Sequence, residues 1–251
     1  MLNSATSEET PFEGLVREIK SVGHWRIVAR PRAYQAQALG TLGELEPFVL
    51  RRQVRMRGWY FPYLHHDEPW RVQALTTCIQ GGGKFHEISE CWRLYESGQF
   101  GHLDALIEDH LADPARADSN WRKLPSYLAA GGRYLEFMSA LYHLTEAFAF
   151  ISRLAESPAY EPGCEVMVEL RGCKGRELFA RDPGRHLSWR RACDEANLVY
   201  PTIRVEQSRM LTRAPDLAMD AWVWFMERFN FMSPPRDVFA EDQRKLLERR
   251  L

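Results

Sequence analysis

No stretch of this 251-residue chain is apolar for long enough to cross a membrane, which takes roughly 18 residues or more. A charge excess is missing too: 33 basic side chains meet 34 acidic ones, and the two halves of the chain balance separately. That excludes a broadly basic nucleic-acid-binding domain, while leaving room for a local basic face. The five cysteines are odd in number and contain no CxxC pair. A disulfide framework and a zinc ribbon are thereby excluded, and free buried thiols in a reducing cytosol are expected. The polar, acidic N-terminus is not a signal peptide. These features predict a cytoplasmic protein, and the preference for arginine over lysine hints at a GC-rich bacterial source.

Catalytic signatures are equally scarce. GxGxxG, GxSxG and DFG-type patterns do not occur. Gly81, Gly82, Gly83 and Lys84 imitate a phosphate loop only in part, because Phe85 follows the lysine where Ser or Thr is needed. A hairpin turn between two strands is the better expectation for these glycines.

What is present is an ordinary globular composition, 45% hydrophobic and 27% charged, in a chain long enough to bury a core. The pattern predicts an α+β fold: an antiparallel β-meander in the first half, a long central amphipathic helix, then a smaller sheet with helices. Residues 1–11 read as a disordered N-terminus and 12–110 as the half with the meander. Residues 111–130 read as a linker, 131–233 as a helix-rich half docked on the first, and 234–251 as an exposed terminal helix. Within the meander, Val54 to Tyr63 reads as one strand. The strongest helical signal runs from Arg133 to Glu156, where Tyr134, Phe137, Leu141, Leu144, Phe148 and Ile151 recur on one face. CEVMVELRG and GRELFA read as a hairpin around Cys173 and Lys174. Leu217 to Phe229 reads as a tryptophan-bearing helix with Pro215 near its start.

One stretch, Arg51 to Trp70, concentrates chemistry. Arg51, Arg52, Arg55 and Arg57 precede Trp59, Tyr60, Phe61 and Tyr63. Alternation on a strand would set Arg55 and Arg57 on one face. Arginine beside aromatics suits phosphate contacts with base stacking, and equally a protein hot spot. The plainer reading is a core of aromatics with solvated arginines. Arg51, Arg52, Arg55, Arg57 and Trp59 are therefore the candidate residues for a nucleic-acid or protein partner, self-association included. The leading expectation is a non-enzymatic binding or accessory module without a cofactor.

The alternative is a hydrolase or nuclease dependent on a divalent metal. It draws on His86, Glu90, His102, Asp104, Asp109 and His110, with His86, His102 and Asp104 as the metal candidates. On a strand, His86 and Glu90 would lie about 13 Å apart, too far to share an ion, whereas His102 and Asp104 would be about 7 Å apart on one face. Convergence then depends on how the strands pair. Cys91 and Cys193 read as inert buried thiols.

Overall fold

The computed structural model describes residues 9–85, 88–112, 125–126, 128, 131–182, 184–185, 187 and 189–249. The expected disorder at 1–11 and the linker at 111–130 fall mostly outside these residues. In chain order the first elements are α1 (Pro11–Ser21), β1 (His24–Pro31), α2 (Leu42–Arg52), β2 (Val54–Arg55), β3 (Tyr60–Phe61) and β4 (Gln73–Ala74). There follow β5 (Cys78–Phe85), β6 (Ile88–Tyr95), β7 (Phe100–Ala105), α3 (Ile107–Leu111), β8 (Tyr134–Glu136) and α4 (Phe137–Ala155). The last are β9 (Gly163–Arg171), β10 (Glu177–Phe179), β11 (Asn197–Val199), β12 (Ile203–Glu206), α5 (Gln207–Arg228) and α6 (Arg236–Leu247). The fold is α+β.

Among the described residues, one large antiparallel sheet runs β11-β9-β1-β7-β6-β5-β4, with β12 also on β9. Its centre is β1, which pairs β7 on one edge and β9 on the other. Strands from both halves of the chain thus share one sheet. Period-two alternation sorts the two faces. Trp25, Ile27 and Ala29 of β1 and Cys164, Val166, Val168 and Leu170 of β9 are buried beneath α4 and α5. On the opposite face Arg26 stands across from Glu169, paired at 2.6 Å, and Arg30 across from Glu165. The Arg30 pair is exposed and sets register more than it adds stability, whereas Glu169 is buried on its face of the sheet. Helix α1 covers part of that outer face. Its Phe12, Leu15 and Ile19 are spaced for one helical stripe, and they pack on Cys91 and Ala105.

Helix α4 is buried nearly all round, as its run of Phe, Leu, Ile and Ala demands. Glu136 caps it by accepting from the Ser139 amide at 2.6 Å. The helix begins later than the periodicity predicts, because residues 134–136 pair in parallel with β10 instead. The expected hairpin between CEVMVELRG and GRELFA is therefore corrected: β9 joins the large sheet and β10 joins β8. In α5, Trp222 is buried and donates to the Phe137 carbonyl at 2.8 Å, locking α5 on α4. Arg213 breaks the helical backbone, so Pro215 opens the second segment of α5. Helix α6 exposes most of its charges but buries Phe239, Leu246 and also Asp242, which pairs with Arg185 at 2.7 Å.

Two further expectations are corrected. Val54 to Tyr63 is not one strand. Gly58 adopts φ +97°, and the chain folds into a hairpin in which Val54 pairs Phe61. Gly81 to Gly83 do not form a turn. They lie inside β5, opposite Trp92, Cys91 and Glu90. A Cβ on Gly81 would stand 2.4 Å from the Trp92 indole, and one on Gly82 2.4 Å from the Glu90 carbonyl oxygen. Glycine here makes room for a neighbour. Gly82→Ala is expected to destabilise the chain by about 1–3 kcal/mol, the usual cost of overpacking. Chemical denaturation at fixed pH measures it, and an unchanged midpoint would refute the packing role.

Candidate acid–base site

The inner face of the large sheet is apolar except near the β6–β7 pair. There the register sets Glu90 opposite Asp104, and Asp104 in turn beside Trp25 of β1. One row along, Trp92, His102 and Ile27 are aligned. Alternation therefore delivers Glu90, His102 and Asp104 to the same face. Helix α4 passes over them and adds His143 and Glu146, three positions apart on one side. From the third direction comes the β2–β3 hairpin. Its turn carries Arg57 and Trp59, and β3 carries Phe61.

The polar groups are paired two by two. His102 Nε2 lies 3.2 Å from Glu90 Oε2, and His143 Nδ1 lies 3.2 Å from Asp104 Oδ2. Arg57 donates to Glu146 Oε2 through Nε at 2.7 Å, with its Nη2 at 2.5 Å from the same oxygen. Glu90 Oε1 also accepts from the Tyr63 amide at 2.7 Å, which ties down the chain leaving the hairpin. Aromatic rings hold the imidazoles. Trp25 stacks on His143 at 5.7 Å, and Phe61 lies 4.7 Å from His102. The Arg57 guanidinium sits 5.0 Å above the Trp59 ring.

A small cleft of about 70 Å³ opens over this set, lined in part by Arg57, Trp59, Glu90, Asp104, Glu108 and His143. Burial pushes the Asp104 carboxyl up to about 7, with nearby Glu90 adding to the shift and His102 opposing it. Glu108, on α3, is raised to about 7 by the same cause and accepts from the Glu136 amide at 2.9 Å. His143 is held well below the usual histidine range, first by burial, then by His102 and Arg57. A neutral His143 donates from Nδ1 to Asp104, so its Nε2 carries the lone pair. Among the described residues Nε2 has no hydrogen-bond partner, nor do Asp104 Oδ1, His102 Nδ1 and Glu146 Oε1, all four being buried. Buried polar atoms of native folds are ordinarily satisfied, so four such atoms in one cluster set this part of the core apart.

The sequence-predicted residues separate here. His102 and Asp104 converge as their spacing allows, and Glu90 joins them. His86 lies outside the described residues. Among the described residues no three His, Cys, Asp or Glu side chains are placed to hold one metal ion. The donors are spent in pairs instead. Asp109 turns away to Arg176, which it meets at 2.7 Å. Of the arginines, Arg51 and Arg55 are exposed. Arg52 lies over the Phe48 ring and donates to the Arg153 carbonyl. Arg57 points inward, so Arg55 and Arg57 share no strand face. All five cysteines are free and buried, and burial pushes Cys91 up to about 12. His143 and Glu146 escape a reading by motif. Their signal is a His and a Glu within a helix otherwise apolar on nearly every side.

Raised carboxyls have a stability consequence. An acid that titrates higher in the folded than in the unfolded chain binds more protons when folded. Its stabilisation is full below the unfolded value near 4 and is lost as pH rises through about 7. Asp104→Asn and Glu108→Gln should each flatten the fall in stability between about pH 4 and 7. Urea denaturation across that range measures it, and a slope identical to wild type would contradict the assignment. Comparison with known proteins lends this site no precedent: no family model, no curated protein and no solved structure matches the chain.

Proposed function

We propose that the chain is a hydrolase that activates water at the Asp104–His143 dyad. The observation that supports this reading is the lone pair on His143 Nε2, buried and without a partner among the described residues, on a ring that Asp104 orients and that belongs to the cleft lining. Such an imidazole is a general base. It takes a proton from the attacking water, Asp104 stabilises the imidazolium, and the same proton passes to the leaving group. Ser139 also lines the cleft, one helical turn before His143, but Nε2 accepts no bond from it, so water is the nucleophile. Free thiols at all five cysteines suit a cytoplasmic setting.

Chromogenic esters, glycosides and phosphodiesters would be assayed with the purified chain. For the class that turns over, His143→Ala should lower kcat/KM by about 10²–10⁴-fold, the usual worth of a general base, and Ser139→Ala should leave it near wild type. The rate should rise as pH passes about 7 and Asp104 ionises. Undiminished turnover by His143→Ala, or none on any class, would refute the reading.

A second reading has one observation in its favour. Arg51 and Arg55 are exposed, and Arg55 lies 5.5 Å from the ring of Tyr60, which is 47% exposed. That edge suits a protein partner or a single-stranded nucleic acid. If nucleic acid docks there, Arg51→Ala with Arg55→Ala should reduce the salt slope of oligonucleotide binding by about 1.5. An unchanged slope would remove that branch, and co-purification of a partner lost in the same variant would support the protein one.

A further inference from the structure

Charge around the cleft is unevenly compensated. Glu90, Asp104 and Glu108 line it, and the sole lysine or arginine among its described lining residues is Arg57. That guanidinium is already committed to Glu146, whose side chain is fully buried. The orphaned atoms lean the same way. Asp104 Oδ1 and Glu146 Oε1 are acceptors, and His143 Nε2 is one because Nδ1 donates to Asp104. The His143 side chain is 5% exposed, so its free lone pair is a buried one within the site. The walls are π faces. Trp25, Trp59 and Phe61 line the cleft, and Arg57 stacked on Trp59 shows that one of these faces already holds a cation. Anions find little to bind in such surroundings. A group rich in N–H donors meets acceptors, negative charge and aromatic faces together.

We infer that the cleft selects substrates with a cationic, N–H-bearing head, a primary ammonium or a guanidinium, over carboxylates and phosphates. The head meets Asp104 Oδ1 and the Glu108 carboxyl, and the lone pair on His143 Nε2 remains with the attacking water. This assignment of substrate class rests on the hydrolytic reading only for the position of the scissile bond. The cleft is small, about 70 Å³, and takes the compact head first. The remainder of the substrate lies over Trp59 and Ile88 at the cleft lining. Burial strains the carboxyls toward protonation, and a bound cation relieves that strain.

The test is calorimetric titration of the full chain with n-butylammonium chloride, sodium butyrate and inorganic phosphate. Butylammonium should bind at least tenfold more tightly than either anion, and Glu108→Gln or Asp104→Asn should each weaken it fivefold or more. Equal or tighter binding of butyrate or phosphate would overturn the inference, as would no binding, or butylammonium affinity untouched by both substitutions. Turnover of 4-nitrophenyl esters of 4-aminobutyrate, butyrate and succinate separates the two ideas. A cationic ester favoured over the other two supports both. Equal kcat/KM on all three sinks the charge selection and leaves the dyad. Cation binding without turnover of these esters or of any glycoside or phosphodiester leaves the selection and sinks the dyad.

Discussion

Glu146 is a carboxylate with no exposed side-chain surface, set in the middle of the most apolar helix of the chain. An ion so placed must find a partner or give up its charge. Arg57 is that partner, and it reaches α4 from a turn that would otherwise lie at the surface. The pair fixes the β2–β3 hairpin against the core, and with it Phe61 against the two histidines and Trp59 against the Arg57 guanidinium. Removing Arg57 would leave the buried Glu146 charge alone, which typically costs about 3–5 kcal/mol. The same desolvation holds His143 neutral and raises Asp104, so the constraint that orders the hairpin also sets the protonation of the site.

A second dependence runs through β1. It is the central strand, paired to β7 of the first half and β9 of the second, and its Trp25 supports both the core and the His143 ring. The sheet is continuous across the sequence midpoint, so the polar row on β6 and β7 is framed by helices that come later in the chain. This explains how a site can be sparse in sequence and dense in space. Glu90, His102, Asp104, His143 and Glu146 span more than fifty residues, yet they are joined by a strand register and one helix crossing.

Much of the fold was legible locally. The stripe of Phe12, Leu15 and Ile19 specified α1, the alternation of Trp25, Ile27 and Ala29 specified β1, and the apolar periodicity that ends at Glu156 specified α4, whereas the segment of β7 read equally as strand or helix start. Failures came where long-range pairing outbids local pattern. Three successive glycines look like a turn until Trp92 and the Glu90 backbone are seen to need their space. Tyr134 to Glu136 fits a helical period, but pairing with β10 claims the backbone first. Arg55 and Arg57 alternate like strand residues, but Gly58 bends the chain between them and Trp59.

By itself the sequence determined the α+β class and many of its helices and strands, because periods of 3.6 and 2 are local properties of the backbone; it left the convergence of the His, Asp and Glu residues to the pairing of the strands. It also determined that no long apolar span is present, and among the described residues no helix is long and apolar enough to cross a membrane. Tertiary structure alone decided that Arg57 faces inward, that His143 and Glu146 join the site, and that Glu90, Asp104 and Glu146 are each paired with a different basic or imidazole side chain. Those outcomes turn on which groups lose their water together, and desolvation is a property of the packed whole that no window of sequence contains.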